Sequence, residues 1–154
     1  ETQLTAAIAQ QQFVLHYQPQ VRASDGALVG CKALIRWRHP TRGLVEPDRF
    51  IPLAEEQRLI VPIGDWVLRE ATHAARRWRE AGRELPVSVN LSLLQLREPG
   101  FAEGLKATLD EAGVQAKFGV RADQTRGRYT WRWMVSGGIS LSRCDRVDGS
   151  PSSR

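Results

Sequence analysis

Residues 30–40 read Gly-Cys-Lys-Ala-Leu-Ile-Arg-Trp-Arg-His-Pro, a short apolar run that turns polar just before a proline. A turn signal, Arg42-Gly43, follows two residues later. Strands of α/β barrels carry their chemistry at this carboxyl end, where the loops begin. We therefore expect a strand over residues 28–37 whose last residues face a functional site.

The residues before this strand predict its partner. Residues 13–21 are rich in aromatic and branched side chains, which favours a strand, and Ser24-Asp25-Gly26 is a tight turn signal. Parallel strands need a long crossover, so two strands joined by this short turn should form an antiparallel hairpin. Residues 2–12 have apolar positions at helical spacing and predict a short helix before the hairpin.

The residues after it alternate between helix and strand signals. Asp48 and Asp65 are expected to cap two helices, the second ending near Gly82. Residues 85–92 follow as a third strand, which should be the first parallel step of a βαβ pattern. A last helix is expected from residue 95 to Gly113. The fold class is therefore α/β.

Composition limits the classes of function. The chain has 154 residues, enough for one domain or less, with 42% hydrophobic and 25% charged residues. Most of its net charge of +5 lies near the carboxyl end. Residues 118–154 carry seven basic and three acidic side chains, whereas residues 1–117 carry 15 basic and 14 acidic side chains. A nearly neutral body makes a nucleic-acid partner the least favoured hypothesis. The chain has no apolar run long enough to span a membrane, and its first residues do not resemble a signal peptide, so we expect a cytoplasmic piece of a longer protein.

Four motif blocks in order resemble the EAL domain family of cyclic di-GMP phosphodiesterases. Residues 32–37 are Lys-Ala-Leu-Ile-Arg-Trp, where the family has Glu-Ala-Leu-Leu-Arg-Trp. Residues 89–92 are Val-Asn-Leu-Ser, as in the family. Residues 50–56 and 59–64 match two further blocks. The resemblance covers about residues 3–116 and implies roughly the first half of a TIM-like barrel whose first strand is antiparallel.

The resemblance implies a metal-dependent site and also a defect in it. The family binds Mg²⁺ or Mn²⁺ through the glutamate of its signature and the asparagine of Val-Asn-Leu-Ser. Asn90 matches the asparagine as a metal ligand, but Lys32 occupies the position of the glutamate. An ammonium group repels a cation and offers it no lone pair, so we expect no productive metal site and no intact catalytic residue. Alternatively, Lys32 binds a ligand phosphate directly, or the exchange is a sequence error or an engineered change.

Three other positions match family residues that contact the dinucleotide. Arg36 corresponds to an arginine at a ligand phosphate, Gln18 to a glutamine near the guanine, and Leu34 to a leucine lining the same pocket. The alternatives that need no ligand are a surface ion pair for Arg36, a turn hydrogen bond for Gln18 and a strand-end cap for Asn90. His39 is expected to shape its loop, and Cys31 to be a small buried hydrophobe.

The pattern changes after Lys117. Residues 118–154 are rich in Arg, Ser and Gly, with no helical stripe and no clean alternation. The family expects a fourth strand like Leu-Glu-Leu-Glu-Ile-Thr-Glu here, and later paired aspartates, a lysine and a glutamate, but none has a counterpart. We therefore divide the chain at residue 117 into half of an EAL domain and an irregular basic tail, interpreted as a shifted reading frame or as a disordered segment.

The sequence thus predicts a truncated, inactive member of a second-messenger phosphodiesterase family. The alternative is a non-catalytic module that binds cyclic di-GMP or a protein. An upstream cyclase or sensor domain is an expected neighbour. Self-association is expected because half a barrel leaves open sheet edges.

Overall fold

The computed structural model describes residues 3–119 and 131–136. Within these ranges the chain forms five helices and six strands. In order they are α1 (Gln3–Ala9), β1 (Phe13–Val21), β2 (Leu28–His39), β3 (Gly43–Val45), α2 (Pro47–Glu56), α3 (Ile60–Glu80), β4 (Val87–Leu91), α4 (Leu93–Leu96), α5 (Phe101–Ala112), β5 (Gln115–Gly119) and β6 (Trp131–Ser136).

One sheet with strand order β1-β2-β4-β6-β5 organises the described residues, and β3 pairs with β2 outside that path. β1 and β2 are antiparallel, as the Asp-Gly turn predicts, and β2 and β4 are parallel, as the intervening helices predict. The α/β class and the antiparallel first strand are therefore confirmed.

The core lies between the sheet and the helices that follow β2. The apolar stripe of α3 packs against β4 and α5, and its buried residues include Ile63, Val67 and Ala71. On β2 the odd-numbered residues Cys31 and Ala33 are buried against this layer, which confirms the expectation for Cys31. The helices cover one face of β2, so its even-numbered side chains project from the opposite face.

An aromatic cluster fills the part of this core between β1, β2, α2 and α3. Phe13 of β1 lies 5.7 Å from Phe50 of α2, 6.0 Å from Trp66 of α3 and 6.2 Å from Trp37 of β2, measured between ring centroids. Phe50 is almost fully buried. Rings at these separations pack favourably, so the cluster ties α2 and α3 to the two hairpin strands.

Several predicted boundaries were wrong. α3 begins at Ile60, so Asp65 lies inside the helix and does not cap it. Glu46 occupies the N-cap of α2 and Pro47 its first turn, which places Asp48 within the helix. A proline at the first helical position needs no hydrogen-bond acceptor, and this signal should have outweighed the aspartate. The helix expected from residue 95 to Gly113 is two helices, α4 and α5, although its end at Gly113 is confirmed.

Part of the residue range assigned to the tail forms a strand. β6 pairs antiparallel with β4 from Val87↔Val135 to Leu91↔Trp131, and β5 then pairs antiparallel with β6. A barrel of parallel strands would place a parallel neighbour at this edge of β4. Residues 120–130 and 137–154 lie outside the described residues, and the division of the chain at residue 117 stays a prediction.

Candidate functional site

The uncovered face of β2 carries three of the predicted site residues. Lys32, Leu34 and Arg36 alternate with the buried Cys31 and Ala33, and all three are only partly exposed. Successive side chains of a strand point to opposite faces. The three side chains therefore share the face that the helices leave open, which we call the open face.

β1 adds its own residues to the open face. Its register pairs Gln18 with Lys32, His16 with Leu34 and Val14 with Arg36. Residues directly opposite each other in an antiparallel pair project to the same side of the sheet. Gln18, which is exposed, therefore stands beside Lys32, and the structure brings these two predicted residues together.

Tyr17 points the other way and anchors β1 against the helical layer. Its ring packs edge-on against Trp78 of α3, with centroids 4.9 Å apart. Burial raises the pKa of the Tyr17 phenol to about 12, and the Arg77 guanidinium opposes that rise in part. Burial likewise raises the pKa of the Cys31 thiol on the neighbouring strand. Gln18 and Lys32 follow Tyr17 and Cys31 in their strands, so they project to the opposite side of the sheet.

β4 places Asn90 on the same face. Ser88 is the register partner of Lys32, and Asn90 follows two residues later, so both project from the open face. Ser88 is buried, whereas Asn90 is exposed near the carboxyl end of its strand. Gln18, Lys32 and Ser88 thus form one row across three strands, with Leu34 and Asn90 one step further towards the carboxyl end of β2.

The open face has no carboxylate among the described residues of β1, β2 and β4. Its side chains are those of Val14, His16, Gln18, Gln20, Lys32, Leu34, Arg36, Arg38, Ser88 and Asn90. Divalent Mg²⁺ and Mn²⁺ prefer carboxylate oxygens, and the described part of the chain holds no cluster of three acidic, His or Cys side chains that could bind a metal. The residues present here do not fit a divalent cation.

A hydrogen-bonded network holds the end of β4 and was missed by the sequence analysis. Ser92 caps α4, since its Oγ accepts the Leu94 N–H and its backbone N–H donates to Gln95 Oε1 at 3.1 Å. The same Oγ donates to Glu55 Oε1 of α2 at 2.9 Å. The signal was present, because Ser92 followed by Gln95 three residues later is a capping box.

Gln95 is itself locked against α3. The side chain is 2% exposed, and its amide nitrogen lies against Gly64, where an added Cβ would overlap it. That nitrogen has no hydrogen-bond partner in the described structure. The absence of a side chain at Gly64 therefore leaves a notch in α3 into which α4 docks, and this docking fixes the end of β4 at Leu91, one residue after Asn90.

Arg36 does not stand free on the open face. Its Nη1 donates to the carbonyl oxygen of Ile35 at 3.0 Å, and its Nη2 lies 3.6 Å from Glu46 Oε1. The ion pair that the sequence analysis offered as the alternative for Arg36 is thus present. A guanidinium has five N–H donors, so Arg36 keeps donors beyond these two contacts.

His39 organises the loop after β2, as expected. Its Nδ1 accepts the backbone N–H groups of Thr41 at 3.2 Å and Arg42 at 3.3 Å, and its Nε2 lies 3.4 Å from Gln3 Oε1. The ring proton therefore belongs on Nε2. The loop beside the open face is fixed by a structural histidine.

The chain matches a known family over most of its length. The family model described as EAL domain matches residues 1–129. The chain is 45% identical over 107 residues to the bifunctional diguanylate cyclase/cyclic di-GMP phosphodiesterase MucR of Pseudomonas aeruginosa, an overlap of 69% of this chain and 16% of that protein. It is 40% identical over 115 residues to the cyclic di-GMP phosphodiesterase PdeR of Escherichia coli, an overlap of 75% of this chain and 17% of that protein.

Solved structures similar to this chain belong to the same family. A structure titled PaMucR phosphodiesterase, c-di-GMP complex, superposes with a TM-score of 0.68 at 42% identity, covering 72% of this chain and 47% of that chain. The EAL enzyme Bd1971, in its cAMP- and cyclic di-GMP-bound form, superposes with a TM-score of 0.66 at 29% identity. The overlap covers 71% of this chain and 32% of that chain. The chain spans less than a fifth of the length of these curated relatives and less than half of these solved chains.

Proposed function

The chain belongs to the EAL domain family, whose relatives act in cyclic di-GMP signalling, and from this premise we propose that it is a catalytically inactive member. The observation that carries the proposal is Lys32. It stands in the row Gln18–Lys32–Ser88 on the open face. The resemblance of residues 32–37 to the family signature assigns it the position of the metal-binding glutamate.

The charge at this position decides between hydrolysis and inactivity. Replacing a carboxylate by an ammonium changes the local charge by two units, a few ångströms from where the metal would sit. At an effective dielectric near 20, such a change amounts to several kcal/mol. Hydrolysis in the family depends on Mg²⁺ or Mn²⁺. Asn90 and Ser88 offer only neutral oxygens, so the site lacks the carboxylate ligands that a hard cation prefers.

Incubation with cyclic di-GMP tests inactivity. We expect the purified chain in Mn²⁺ or Mg²⁺ to leave the nucleotide intact, with no linear dinucleotide detected by chromatography after an overnight reaction. A related EAL enzyme under the same conditions is the positive control. Metal-dependent product formation that copurifies with the chain and stops on addition of a chelator would contradict the proposal.

A second candidate function is binding of cyclic di-GMP without cleavage. It is supported by Lys32, Leu34 and Arg36, which share one face with Gln18 beside them, and by neighbours that are cyclic di-GMP complexes. An ammonium and a guanidinium can contact phosphate oxygens directly, so the ligand would need no metal. Calorimetry that finds no heat at nucleotide concentrations of about 1 mM would remove this candidate.

The wider setting is also proposed. A cyclase or sensor domain upstream is supported by the bifunctional cyclase/phosphodiesterase MucR, of which this chain matches a small part. A cytoplasmic location is proposed from the cyclic di-GMP relatives that the chain matches. No helix within residues 3–119 and 131–136 has the length and apolar character to cross a bilayer. Self-association is supported by the outer strands β1 and β5, each paired on one edge within the described sheet, and a monomeric mass in sedimentation would contradict it.

A further inference from the structure

The loop before α2 places a carboxylate beside the arginine of the open face. β3 pairs with β2 so that Val45 lies opposite Trp37, and the next residue, Glu46, therefore lies level with Arg36. The carboxylate Oε1 lies 3.6 Å from Arg36 Nη2. The contact follows from strand register and does not depend on a chance meeting of two long side chains.

The backbone keeps Glu46 at this place. It is the N-cap residue of α2, with extended dihedrals of φ −78° and ψ 155°, and Pro47 follows it in the first turn. A residue before proline is restricted to extended conformations. The Glu46 side chain makes no capping hydrogen bond to α2, so its carboxylate is not committed to the helix.

The two partners differ in their exposure to water. The Arg36 side chain is 15% exposed, whereas that of Glu46 is 71% exposed. A pair with one solvated partner at this distance is weak, and an incoming anion can displace the carboxylate. A phosphodiester offers a guanidinium two oxygens and a bidentate geometry, which the single Glu46 contact does not provide.

We propose that Glu46 is an internal competitor for anions at Arg36 and sets the affinity of the open face for cyclic di-GMP. The inference rests on the binding function proposed above and adds to it a residue that weakens binding. The nucleotide carries two negative charges. It therefore meets an occupied arginine and a repelling carboxylate together, and both effects disappear when Glu46 is neutralised.

Glu46→Gln tests this, because it removes the charge and keeps the side-chain size. We expect the Kd for cyclic di-GMP, measured by calorimetry in EDTA, to fall about two- to fivefold, as for loss of an exposed ion pair. Glu103→Gln is the matched control, since Glu103 is exposed on α5 and the change in net charge is the same. The control should leave the Kd unchanged.

A double-mutant cycle separates competition at Arg36 from a general change in surface charge. In an Arg36→Gln background, Glu46→Gln should improve binding less than in the wild-type background, because the competition at Arg36 is gone and only the repulsion by the carboxylate remains to be relieved. An equal improvement in both backgrounds would overturn the inference while leaving ligand binding in place. So would an equal Kd for Glu46→Gln and Glu103→Gln. If no variant binds although each shows the circular dichroism of the folded chain, the binding function fails and the inference fails with it.

Discussion

Gly64→Ala is expected to destabilise the chain, although alanine is the better helix former. The new Cβ would overlap the Gln95 amide, which is buried and fixed by its bond to Ser92. Overpacking costs about 1–3 kcal/mol, and loss of the capping box about 1 kcal/mol more. The higher helix propensity of alanine offsets about 1 kcal/mol of this loss. The net loss should be about 2 kcal/mol in the free energy of unfolding, measured by urea denaturation.

Gly104→Ala is the control for this prediction. Gly104 lies in α5, and a Cβ there would meet no atom within 4 Å. The same exchange should therefore be neutral or stabilising by up to about 1 kcal/mol. Adding Gln95→Ala to Gly64→Ala removes the overlap, so the double variant should be no less stable than Gln95→Ala alone. A stabilising Gly64→Ala would show that α4 does not dock in the notch.

Lys32→Ala is expected to weaken cyclic di-GMP binding by about 10- to 100-fold. A hydrogen bond to a charged group contributes about 1.5–3 kcal/mol, and Lys32 is partly buried between Gln18 and Ser88, where it is less screened than a surface lysine. The Kd is measured by calorimetry in EDTA, so that no metal can bridge the phosphate.

Two further variants sharpen that result. Lys106→Ala removes the same charge from an exposed site on α5, where the lysine pairs with Asp110, and should leave the Kd nearly unchanged. Lys32→Glu introduces the carboxylate that the motif resemblance implies at this position, and it should bind less tightly in EDTA than Lys32→Ala, because the carboxylate repels phosphate. If Lys32→Ala and Lys106→Ala behave alike, Lys32 does not touch the ligand.

Local signals in the sequence were enough to predict the strands that carry the open face. The Asp25-Gly26 turn fixes the hairpin, and strand alternation then assigns Lys32 and Arg36 to one side and Cys31 to the other. Asn90 could be placed because a strand after a helix returns parallel to the first. The motif resemblance added the family, which a match over residues 1–129 confirms.

The contacts between distant segments could not be predicted in this way. Gly64 meets Gln95 only because α4 packs on α3, and nothing near Gly64 in the sequence marks it as a notch. The Arg36–Glu46 pair depends on β3, a three-residue strand in a stretch that reads as loop. The antiparallel pairing of β6 with β4 was not predicted, because residues 131–136 fall in the range that was assigned to the irregular tail.

The most direct measurement is a calorimetric titration of cyclic di-GMP into the chain, once in EDTA and once in Mn²⁺. The proposal assigns Lys32 to the metal-binding position of the family. It therefore predicts the same Kd in both buffers and intact nucleotide recovered from the calorimeter. Binding that requires Mn²⁺, or a linear dinucleotide recovered afterwards, would contradict it.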